Sequence, residues 1–157
     1  MPKQSVVERA AHAAAAYGDA ADAVDQAVAD VIGVNRTDLR ILGVIYQQGP
    51  TSAGTLAAAV GLSPAATTEA VQRLVARELL ARDTDPADRR RAVITIGAAG
   101  VGLAERFYGP VGDAGMALLQ RYTDAELTTI ADFLERGREL QLAQASRIRA
   151  DDRTSQR

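Results

Sequence analysis

The chain has 157 residues, 47% of them hydrophobic and 24% charged, enough to bury one compact core or two elements that share one. It has no cysteine and a single histidine, His12, which excludes disulfides, thiolate and His-rich metal sites, and thiol redox switches. The net charge of −2 is unevenly spread: acidic residues crowd positions 19 to 30, whereas Arg73, Arg77, Arg82, Arg89, Arg90 and Arg91 fall in one short stretch.

Residues 4 to 32 read as one long helix. Val6, Val7, Ala10, Ala14, Tyr17, Ala21, Val24, Val28 and Val31 recur at three- and four-residue steps and form one apolar stripe. Such a stripe needs a partner, either this chain's own last helix or a second copy. Gly33-Val34-Asn35-Arg36 breaks the helix, and Thr37 is placed to cap a second one with Leu39, Leu42, Ile45 and Tyr46 inward. Gln48-Gly49-Pro50 ends it. Thr51 or Ser52 caps a short third helix, Gly61-Leu62 turns the chain, and Ser63 caps a fourth helix with Pro64 in its first position. That helix runs to about Arg77. Leu79 to Asp83 and Arg91 to Ile96 then read as two strands joined by the polar tip Asp85-Pro86-Ala87-Asp88-Arg89-Arg90. A fifth helix starts near Ala98 and is loosened by several glycines. Thr123-Asp124-Ala125-Glu126 is a capping box that opens the last helix, and the polar residues from Asp151 onward predict a frayed end.

No set of residues here suits catalysis. There is no cysteine nucleophile, no histidine near a serine, and no glycine-rich phosphate loop followed by lysine. The expectation is a non-enzyme without catalytic residues, cofactor or metal. No apolar run approaches the roughly 18 residues of a membrane span, and no signal peptide opens the chain, so a cytoplasmic protein with no membrane association is expected.

Helix, turn, helix and a two-stranded hairpin is an order that can place one helix in a major groove and a loop beside it. The run Leu62-Ser63-Pro64-Ala65-Ala66-Thr67-Thr68-Glu69-Ala70-Val71-Gln72-Arg73-Leu74, then Leu79-Leu80-Ala81-Arg82 and Asp85-Pro86-Ala87-Asp88-Arg89-Arg90, resembles the MarR family of bacterial regulators. The resemblance covers residues 37 to 100. It implies a mainly α fold with a small β-hairpin wing: a winged helix-turn-helix over 37–100 and a helical dimerisation domain from 4–32 and 104–148. It also implies a homodimer on a pseudo-palindromic operator in double-stranded DNA, acting as a repressor and released by a small aromatic ligand. The competing reading is a winged-helix scaffold that binds protein and no DNA, which the acidic net charge favours.

Helical geometry turns Thr67, Val71, Leu74 and Val75 inward and leaves Ser63, Ala65, Ala66, Thr68, Glu69, Gln72 and Arg73 outward. Ser63, Thr68 and Arg73 match family positions that hold the sugar-phosphate backbone. Ala65, Ala66, Glu69 and Gln72 are candidates for reading base edges, since Gln pairs with adenine and Glu accepts from the cytosine amino group. Glu69 reads equally as a solvated carboxylate, and Arg73 also reads as a surface ion pair. In the wing, Arg90 with Arg89 is assigned to the minor groove, Asp88 to orienting Arg90, and Arg91 to a phosphate or an ion pair. Tyr17, Tyr46 and Phe107 are the ligand-binding candidates by resemblance, against a plainer reading as core aromatics. Two positions depart from the family pattern. Glu78 stands where a glycine usually closes the recognition helix, predicting a shifted or strained turn, and Gly97 replaces a threonine cap of the fifth helix.

Overall fold

The computed structural model describes residues 3–85, 88 and 91–155. The elements follow the chain as α1 (Lys3–Ile32), α2 (Arg36–Gln48), α3 (Ala53–Val60), α4 (Pro64–Ala76), β1 (Leu80–Thr84), β2 (Ala92–Ile96), α5 (Ala98–Leu103), a π-helical turn (Ala104–Tyr108), α6 (Gly109–Leu119) and α7 (Asp124–Ser155). The protein is mainly helical with one small hairpin. It divides into two compact units, residues 1–109 and 110–157. Among the described residues no helix is long and apolar enough to cross a membrane.

In the first unit the core lies between α2, α3, α4 and the hairpin. Ile41 and Ile45, Leu56, Val71 and Leu74, and Leu80 are almost wholly removed from water, each contributing roughly 1.5–3 kcal/mol of burial. Strands β1 and β2 pair antiparallel, with Leu80 opposite Ile96 and Thr84 opposite Ala92. Thr51 extends this sheet by a single bridge: it exchanges two backbone bonds with Ile94, at 3.0 and 2.8 Å. The bridge anchors the hairpin to the corner between α2 and α3. A smaller cluster of Val28 and Ala29 from α1 and Leu39 from α2 joins the first helix to this module.

Several boundaries differ from the sequence reading. Asn35 caps α2, not Thr37; its Oδ1 accepts from the Asp38 N–H at 2.7 Å. Tyr46 is exposed rather than inward, and Val75 is half-buried. The strands begin one residue later than expected. The fifth helix widens into a π turn in which the Gly109 N–H reaches the Ala104 carbonyl. Pro110 follows at once; it has no N–H for the Arg106 carbonyl and its ring crowds that group, which accounts for the local change of register. In the second unit the capping box forms as expected, the Thr123 N–H donating to Glu126 Oε2 at 2.9 Å, and α7 continues past Asp151 to Ser155.

Candidate nucleic-acid interface

The helix-turn-helix is built by local caps. Ser52 Oγ accepts from the Thr55 N–H at 3.2 Å to start α3. Gly61 ends it with φ 70, a left-handed corner that glycine adopts without the steric cost of a Cβ. Ser63 Oγ then accepts from the Ala66 N–H at 3.2 Å, and Pro64 takes the first helical position of α4. Thr67 is buried, yet its hydroxyl donates to the Ser63 carbonyl at 2.9 Å, so this polar group on the inner face is satisfied.

α4 is thereby seated by its inner face, with Thr67, Val71 and Leu74 buried as expected. Its outer face presents Ser63, Ala65, Thr68, Glu69, Gln72 and Arg73 exposed and Ala66 partly so. The Ser63 hydroxyl accepts from the helix and keeps its own hydrogen for a further acceptor. Thr68 differs, because its hydroxyl donates to the Pro64 carbonyl at 2.9 Å. Arg73 donates to Asp38 Oδ1 at 2.8 Å, an ion pair that joins the recognition helix to α2. Asp38 is 5% exposed and is further held by Asn35 Nδ2 at 3.1 Å. The Arg73 guanidinium remains half exposed, with donors beyond the one on Asp38. Sequence reasoning missed Asp38, which looks like an ordinary first-turn acid.

In the wing, the Asp85 N–H donates to the Arg91 carbonyl at 2.8 Å, one step beyond the hairpin ladder, and the Arg91 N–H donates to the Asp88 carbonyl three residues back at 2.9 Å. Asp88 and Arg91 are exposed. Arg89 and Arg90, assigned to the minor groove, lie outside the described residues.

The end of α4 carries two further features. Arg77, its C-cap, donates to the Gly33 carbonyl at 2.9 Å and also to the Ile32 carbonyl, reaching the last residues of α1. Glu78 has φ 57, the one non-glycine with positive φ among the described residues. Gly97 has no side-chain cap, as expected, but also a packing reason: a Cβ there would lie 2.1 Å from the Glu78 carbonyl oxygen.

The three aromatic candidates are not brought together. Tyr46 lines a cleft of about 730 Å³ bordered by α1, α2 and α5, Phe107 borders a separate cleft of about 470 Å³ beside Arg77, and Tyr17 lines neither. Tyr17 is 71% exposed. The larger cleft holds Tyr108 instead, whose hydroxyl donates to Asp25 Oδ1 at 2.7 Å. Burial, and then Asp25, push the Tyr108 phenol well above its usual range, so it stays a neutral donor.

Comparison with known proteins agrees with this architecture. Residues 32–91 match the sequence profile of the MarR family. The chain is 32% identical over 124 residues to YcgE of Bacillus subtilis (strain 168), an HTH-type transcriptional regulator itself described as uncharacterized, covering 79% of this chain and 80% of that one. In three dimensions it resembles a MarR family protein from Bacillus stearothermophilus, with TM-score 0.62, 16% identity, and coverage of 90% of this chain and 99% of that one. It also resembles a mutant of S. aureus MepR bound to an oligodeoxyribonucleotide, with TM-score 0.51, 17% identity, and 90% and 99% coverage. The winged helix-turn-helix and these likenesses together identify the chain as a member of the MarR family of transcriptional regulators.

Proposed function

We propose that the protein is a homodimeric repressor that works in the cytoplasm, holding a pseudo-palindromic operator in duplex DNA with α4 in the major groove and the wing beside it. The observation that carries this reading is the outer face of α4, whose inner face is locked into the core while a row of polar and small side chains stands exposed. Ser63, Thr68, Arg73 and Arg91 are assigned to the sugar-phosphate backbone, with Thr68 turning its hydroxyl away from Pro64 and Arg73 using the donors Asp38 leaves unused. Ala65, Ala66, Glu69 and Gln72 face the bases. Arg89 and Arg90 enter the minor groove, with Asp88 orienting Arg90. Residues 4–32 and 104–148 form the dimer domain and 37–100 the DNA-binding domain. A small aromatic ligand in the cleft beside Tyr46 and Tyr108 releases the operator by favouring a spacing of the two recognition helices that misses the grooves.

Selection from random duplex, followed by mobility-shift assays, tests the reading. The expected product is a pseudo-palindrome with half-sites roughly 10 bp apart, one turn of DNA. The absence of a shift at low salt, with generic duplex as well as selected sequence, would support the protein-interaction scaffold that the net charge of −2 favours.

A further inference from the structure

Helix α1 is thirty residues long and has no basic side chain in its last turn. Its C-terminus is closed by Gly33 at φ 65, after which the Val34 N–H returns to the Ala29 carbonyl at 3.0 Å. That closure satisfies one carbonyl and leaves those of Ile32 and Gly33 at the negative end of the helix dipole. Both are taken by one guanidinium, that of Arg77, 45 and 44 residues further along the chain.

Arg77 is not a free surface arm. It is the C-cap of α4, and its backbone is fixed by the left-handed Glu78 that follows and by the Leu79 N–H on the Leu74 carbonyl at 3.0 Å. Its donors therefore join the end of the recognition helix directly to the end of α1. The buried side chains of α4 pack in the core shared with α2, α3 and the hairpin, and Ile32 at the end of α1 borders that core; the polar clamp adds directed hydrogen bonds to this apolar contact. Resting on the DNA-binding reading above, we propose that Arg77 is a positioning residue: it sets the recognition helix against α1 and thereby governs DNA affinity without touching DNA.

Counterion release separates this role from a phosphate contact, because each phosphate contact contributes about 0.9 to the slope of log K against log salt. The experiment is fluorescence anisotropy with a duplex recovered by the selection, from about 50 to about 200 mM salt, on wild type, Arg77→Ala and Arg77→Lys. Arg77→Ala should weaken binding about three- to thirty-fold with the salt slope unchanged. Arg77→Lys, whose ammonium can still bond helix-terminal carbonyls, should recover most of the affinity. Hydrogen exchange on the DNA-free protein gives a second readout: in Arg77→Ala the amides of residues 32–36 and 76–80 should exchange faster, with the remaining core protected as in wild type. A slope reduced by about 0.9 or more would make Arg77 a phosphate contact and overturn the proposal. Unchanged affinity, or unchanged exchange at both segments, would overturn it too. If wild type binds no duplex, the DNA-binding reading fails, while hydrogen exchange still decides whether Arg77 holds the two helices together. If Arg77→Ala does not fold, the same measurements on Arg77→Lys and Arg77→Gln decide the question.

Discussion

Glu78 and Gly97, at each of which the family resemblance implies a different residue, meet in the structure. Glu78 holds a left-handed φ of 57, which costs a residue with a Cβ roughly 1–2 kcal/mol. Its carbonyl is directed at Gly97, where a Cβ would sit 2.1 Å away. Gly97 itself has φ −81 and ψ 167, ordinary extended backbone, so space rather than conformation requires glycine there. Glu78→Gly should therefore raise stability by about 0.5–1 kcal/mol, the strain relieved less the entropy glycine loses on folding. Gly97→Thr should lower stability by about 1–3 kcal/mol, even though its hydroxyl would supply the missing cap. Denaturant midpoints at one fixed protein concentration check both. A stabilised Gly97→Thr would mean that the Glu78 carbonyl moves aside easily.

Local caps set where the elements begin and end, and the start of α7 shows this in a titratable form. Hydrogen bonds from the Thr123 backbone and hydroxyl hold the Glu126 carboxyl below its usual range. A carboxyl lowered on folding contributes stability that is complete above its unfolded pKa and disappears as pH falls through the lowered folded value. Wild type should accordingly be more stable than Glu126→Ala near neutral pH. The gap should narrow on acidification below pH of about 4, as thermal melts of both proteins across that range would reveal; a gap constant with pH would mean that the carboxylate does not titrate with folding. Capping boxes, the Ser63-Pro64 start of α4 and the Gly61 corner are all legible in the sequence because each acts within four residues. Helical period likewise revealed the outer face of α4. Much of what the sequence did not reveal depends on contacts far along the chain. Asp38 meets Arg73 across 35 positions, and Arg77 reaches Gly33 across 44. Thr51, expected only as a cap, bridges Ile94 instead. Asn35 rather than Thr37 caps α2, its side chain accepting from the Asp38 N–H three residues on; asparagine ranks above threonine at that position, so this local signal was in the sequence. The π turn needed knowledge that the helix would continue through Pro110 rather than stop there.

Each unit leaves large apolar side chains in water. In the first unit α1 exposes Val6, Val7 and Tyr17. In the second, α6 exposes Met116 and Leu118, and α7 exposes Phe133, Leu134 and Leu140, each more than half accessible. Exposed apolar residues in such numbers along long helices mark an interaction face on each unit, and a second copy of the chain is the partner we propose, since a two-fold pair also places two recognition helices on one duplex. Light scattering at micromolar concentration should then give twice 16.5 kDa, and a stable monomer would dismiss the dimer. Leu134→Asp puts a charge on α7 where the side chain is already 51% exposed, so the unpaired chain tolerates it while an apolar interface does not. It should shift the protein toward monomer with the far-UV helical signal retained. Operator binding should fall by about 10²–10⁴-fold, because the second half-site contact is then no longer intramolecular. A Leu134→Asp protein that remained dimeric and bound as wild type would place the dimer contact elsewhere than this stretch of α7.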